Sequence, residues 1–138
     1  LENVFDRFAS SNAEVQYNTV SEFIYQMGLG PIEAPPSRRK ISAAFLHFYE
    51  RAAHDEPFRV LLEKSFESLL DHVRRSIEQV LKRPLRKHEQ QTVPILVTMC
   101  LEGLGKLCIV IKDRDDLKFA WRSFADMIGK MFEGKNNE

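Results

Sequence analysis

Cysteine is scarce in this chain, with 2 among 138 residues, too few to build the disulfide framework that holds small secreted domains together. The scarcity suits a reducing compartment, and a cytoplasmic protein is expected. Net charge is missing as well, because 20 Lys and Arg balance 20 Asp and Glu. A balanced chain lacks the broad basic field with which most nucleic-acid binders meet phosphate. Long alternations of β-branched and polar residues are absent, which removes a sheet-based fold. The opening "LENVFDRF" has no basic-then-apolar leader of the secretory kind. It reads like the interior of a longer protein, and a domain before Leu1 is expected.

What the chain does have is apolar residues at steps of three and four, and 43% of it is hydrophobic, enough for one core. The spacing predicts an all-α bundle of about six helices in a single domain. Leu1 to about Ser10 sets Val4, Phe5 and Phe8 on one side. Thr19 followed by Glu22 fits a capping box that opens a short helix, which Gly28 and Gly30 end. "GPIEAPPS" reads as a linker. Ser37 then caps a helix through about His54, with Ile41, Phe45, Phe48 and Ala52 on one stripe. Asp55 and Pro57 mark a stop and a restart. A long helix from Pro57 to Leu81 keeps Phe58, Leu62, Phe66, Leu69, Val73, Ile77 and Val80 on one face, and "KRP" closes it. An apolar helix from about Lys87 to Ile111 follows, then "KDRDD". A last helix near Asp115 to Glu133 carries Leu117, Trp121, Phe124, Ile128, Met131 and Phe132 on one side. The tail "GKNNE" is expected to fray.

Most chemical candidates fail on geometry. Cys100 and Cys108 stand eight residues apart, ~12 Å of helical rise, too far to share a disulfide or an ion. "GLG" at 103–105 lacks the further glycine of a dinucleotide loop and the Lys-Ser/Thr of a phosphate loop. The apolar run from Val93 to Ile111 approaches the length of a membrane span, but Pro94, Glu102 and Lys106 interrupt it, and a buried helix is expected rather than a membrane one. His47 and His54 lack the helical partners of a metal site, and Glu50 with His54 reads as a surface pair. Glu63, Glu67 and Asp71, with Lys64 and Arg74 nearby, read as a solvated face. The basic "KRPLRKH" complements a helix C-terminus. No Ser/His/Asp or Cys/His set stands out, so no enzyme, metal or cofactor is expected.

The apolar helix itself is the informative feature. At ~100° per residue, Leu96, Met99, Cys100, Gly103, Leu107, Val110 and Ile111 share one broad side, and Val97, Leu101, Leu104 and Cys108 extend the apolar surface around the other. Thr98, Glu102 and Lys106 leave only a thin polar strip. Such a helix needs cover on several sides, and a second subunit is a natural cover. Gly103 removes a side chain where another backbone can approach.

The segment "CLEGLGKL", followed by a charged turn and "DLKFAWRSFADMIGKMFEG", resembles the C-terminal half of TetR-family transcriptional regulators. "LENVFDRFA" is similar to the helix that leaves their DNA-binding head, and "FLHFYERAAHDEPFRVLLEKSF" resembles their middle helix pair. The chain departs from the family in carrying Glu102 where Asp is commoner, and residues 1–138 contain no helix-turn-helix sequence, which is expected before Leu1. The resemblance implies a homodimer whose last two helices form a four-helix bundle with the partner's. It implies a small hydrophobic effector in an apolar pocket, and DNA contact only through the absent head. Mapped by helix, the dimer face falls on Leu96, Cys100, Gly103, Leu107, Trp121, Phe124 and Ile128. The pocket falls on Phe45, Phe48, Tyr49, Phe66, Leu69, Met99 and Leu104. Two other readings stay open: a haem-binding, globin-like domain with His72 or His88 as proximal ligand, and a helical adaptor without ligand.

Overall fold

The structure, a computed structural model, describes residues 16–133. Five helices follow one another: α1 (Val20–Glu33), α2 (Pro36–Ala52), α3 (Glu56–Leu81), α4 (Lys87–Val110) and α5 (Arg114–Glu133). There is no strand among the described residues. Five helices, rather than about six, make the described fold; the helix expected over Leu1 to Ser10, the tail "GKNNE" and the side chain of Ile41 lie outside the described residues.

The helix boundaries follow local chemistry. Thr19 Oγ1 accepts the Glu22 N–H at 3.1 Å, capping α1. Gly28 and Gly30 do not end that helix, which continues through Pro31 to Glu33. Neither glycine takes a positive φ, so neither supplies the left-handed residue that closes a helix, and burial of α1 overrides the weak local preference. The linker shrinks accordingly to Ala34 and Pro35. Helix α2 begins at Pro36, where the fixed φ of proline suits a first helical position, rather than at a Ser37 cap. The Asp55 carboxylate accepts the Phe58 N–H at 3.2 Å and starts α3. Lys82, at φ 56°, closes α3 in the left-handed conformation. Glu89, 3% exposed, accepts from the Arg86 N–H at 2.8 Å and pairs with Arg83 at 3.0 Å, fixing the start of α4.

The core is arranged around α1. Its Phe23, Ile24 and Ile32 are buried with Val73 and Ile77 of α3, Val93 and Val97 of α4, and Trp121, Ala125, Ile128 and Phe132 of α5. The contact between α1 and α5 is the most extensive in the fold. The Trp121 indole N–H donates to the Ile24 and Tyr25 carbonyls at 3.0 and 3.2 Å, and its ring fills the space above Gly28. Ser21 lies over Gly129 and donates to Asp126 at 2.5 Å.

Helix α4 touches each of the other four, whereas α2 packs only on α3 and α4. By length and mean hydropathy α4 is also apolar enough to cross a membrane, and a third of its most apolar stretch is buried in the fold. With α2 set to one side of the core, an opening is left between α2, α3 and α4.

Candidate functional site

That opening is a cleft of about 470 Å³, within the size range of small-molecule sites. Helix α4 forms one wall with Ile95, Thr98, Met99, Glu102, Gly103 and Lys106, spaced at the threes and fours that share a helical face. Tyr49 of α2 and Phe66 and Leu70 of α3 complete it. The Tyr49 ring faces Phe66 at 6.2 Å between centroids, and Lys106 Nζ sits 5.3 Å above it.

The Tyr49 hydroxyl donates to the Glu102 carboxylate, tying α2 to α4 across the cleft. Burial first, and the hydrogen bond and negative charge of Glu102 next, push the Tyr49 phenol well above its ordinary range. It therefore stays protonated and remains a donor at any physiological pH. Thr98 is 6% exposed and its Oγ1 has no hydrogen-bond partner. The lining thus combines mostly apolar side chains with a hydroxyl, a carboxylate, a phenol and an ammonium, a composition suited to holding a small molecule by apolar burial and orienting it with few polar contacts.

Of the residues assigned to a pocket from sequence, Tyr49, Phe66 and Met99 line the cleft. Phe45 and Phe48 do not. They belong to an aromatic group shared with Phe58, with centroids 5.3 and 5.6 Å apart, and Arg51 covers Phe58. Leu69 and Leu104 are buried in the core itself. Sequence reasoning missed Leu70, Ile95, Thr98, Glu102 and Lys106 as lining, and gave Gly103 to the dimer face alone. A signal for three of them was present, since Thr98, Glu102 and Lys106 are the thin polar strip on the apolar helix. That strip faces α2 and α3.

The residues assigned to a dimer face divide between the two helices that carry them. On α4, Leu96, Cys100 and Leu107 are exposed, and a Cβ on Gly103 would meet nothing within 4 Å. With Met99 and Val110, 63% and 77% exposed, they form one apolar stripe. On α5, Trp121 and Ile128 are buried within the chain and Phe124 is half-buried against Trp121. Their surfaces are already covered by intramolecular packing. The apolar groups that α5 turns outward are Phe119, Met127 and Met131.

The remaining candidates are dispersed. His72 packs edge-on against Phe23, with its Nε2 buried and unpartnered, and His88 is exposed in the first turn of α4; neither lines the cleft. Glu63 pairs with Arg59, and Asp71 with Arg74 and Arg75, all near the surface. His47 and Glu50 form an exposed pair at 3.9 Å. Among the described residues no three His, Cys, Asp or Glu side chains come together to hold a metal ion. Compared with protein-family models, curated proteins and solved structures, the chain finds no match in any of the three.

Proposed function

We propose that this chain is the effector-sensing and dimerising domain of a cytoplasmic transcriptional regulator of the TetR type, passing the state of its cleft to a DNA-binding head joined to it. The observation that carries this reading is the double use of α4. One flank of the helix walls the cleft, the adjoining flank is an exposed apolar stripe, and Met99 and Gly103 belong to both. A molecule entering the cleft would press on the same helix that a second subunit would grip. An apolar stripe of this length left in water is itself a reason to expect a partner. In this reading the last two helices of each subunit meet those of the other, with the α4 stripe and the outward Phe119, Met127 and Met131 of α5 as the contact surface.

Sedimentation of the full chain tests it. The wild type is expected to sediment as a dimer at micromolar concentration, and Leu107→Glu as a monomer with an unchanged helical circular dichroism spectrum, since Leu107 is 47% exposed and contributes little to its own subunit. A wild-type chain that remains monomeric at that concentration would sink the proposal.

A further inference from the structure

Among the described residues Thr98 carries the one buried hydroxyl without a hydrogen-bond partner. Ser65, Thr92 and Ser123 each donate to the carbonyl four residues back, at 3.2, 2.8 and 3.1 Å, the usual recourse of a hydroxyl inside a helix. Thr98 is more deeply buried than any of them, yet its Oγ1 bonds to nothing in the chain. A buried hydroxyl with no partner is a standing cost to the folded state, and this one lines the cleft beside Phe66, Met99 and Ile95.

The two charged groups of the cleft narrow the choice of ligand. Glu102 already accepts from Tyr49, and Lys106 lies over the Tyr49 ring on the same helical flank. A ligand group held by Thr98 lies one helical turn from the Glu102 carboxylate and two turns, ~12 Å of rise, from Lys106. The nearer charge, that of Glu102, penalises an anionic group at this point, and specificity uses such repulsion alongside attraction. An uncharged polar group does not meet that penalty.

We infer that the cleft takes a molecule that is not an anion, with a flat, apolar body and one hydroxyl or carbonyl group, and that Thr98 Oγ1 is the hydrogen-bonding anchor for that group. The inference rests on the reading of the cleft as an effector site. The body lies against Phe66 and Met99, and the polar group supplies the partner that the chain does not.

Calorimetric titration of the full chain with naphthalene, 2-naphthol and 2-naphthoate tests the two ideas separately. Wild type is expected to bind 2-naphthol roughly five- to tenfold more tightly than naphthalene, the ratio that one added hydrogen bond confers, and to bind 2-naphthoate most weakly. Thr98→Val keeps the shape and removes the hydroxyl. It should bind naphthalene as wild type does and lose the preference for 2-naphthol, with a melting temperature no lower than wild type, while Thr98→Ser keeps the preference. If Thr98→Val retains the preference, or if 2-naphthoate binds best, the anchor is wrong and the apolar cleft stands. If none of the three binds wild type, the effector site itself is wrong and the inference goes with it.

Discussion

Two helix surfaces in this fold carry glycine near their middle, and they have opposite fates. At the seam between α1 and α5, a Cβ built on Gly28 would lie 2.0 Å from the Trp121 indole nitrogen, and one on Gly129 would lie 3.1 Å from Ser21. On α4, a Cβ on Gly103 or Gly105 would meet nothing within 4 Å. The first pair of glycines is used inside the subunit, where it lets α5 come down onto α1. The second pair leaves α4 smooth and open. A glycine in a helix announces that something can come close, but only its packing tells whether the visitor is already there.

The seam is where the comparison breaks most visibly. Gly28→Ala forces the indole away from its position and from the two carbonyls it bonds, and overpacking of this kind costs about 1–3 kcal/mol. Because Trp121 is the only tryptophan, its fluorescence reports the event directly. A lower melting temperature together with a red-shifted emission maximum is expected. Melting and emission like those of wild type would mean that the α1–α5 contact is looser than described.

Much of this architecture was legible beforehand. The ends of α3, α4 and α5 fall within a residue or two of where Asp55, "KRP" and "KDRDD" place them, because caps and prolines act locally and leave a mark in the sequence. The course of α1 was not legible. Gly28, Gly30 and Pro31 read as punctuation, yet the helix continues through them because Trp121, some ninety residues further on, fills the space that Gly28 leaves. A long-range contact of that kind has no local signature. The same holds for the cleft. The spacing of Tyr49, Phe66 and Met99 marks apolar faces, but nothing in it separates them from Leu69 and Leu104, which point into the core. Only the polar strip of Thr98, Glu102 and Lys106 distinguished the flank of α4 that meets α2 and α3.

The open flank of α4 sharpens the comparison from the other side. In a monomer, replacing an interior helical glycine with alanine stabilises by about 1 kcal/mol when the new methyl meets nothing. Gly103→Ala and Gly105→Ala should therefore both raise the melting temperature in the monomeric Leu107→Glu background. With Leu107 intact the two should part company. Gly103 shares the exposed stripe with Leu96, Cys100 and Leu107, whereas Gly105 lies about 200° further round the helix. If, as proposed, a partner helix sits over Gly103, the first substitution weakens dimerisation in sedimentation and the second is without effect. Equal dimer affinity in both variants would remove Gly103 from the seam.

The smallest expected effect belongs to His72, which sits on the closed side of the comparison, against Phe23 of α1. Burial chiefly, and the nearby Arg75 secondarily, hold its imidazole below the ordinary histidine value, while Asp71 opposes the shift. Its buried Nε2 has no partner to receive a proton's charge. The folded state therefore binds fewer protons at this site than the unfolded state does, so stability rises with pH through this window and falls as pH drops below the unfolded value of about 6.5. The other three described histidines, His47, His54 and His88, are exposed. Between pH 7 and about pH 5, His72 thus adds acid sensitivity to the core. A shallow decline in melting temperature over that interval is expected for wild type, and a flatter profile for His72→Gln, which keeps a polar side chain of similar reach but does not titrate. A decline of the same slope in both would move the acid sensitivity away from the α1–α3 contact and onto the surface ion pairs.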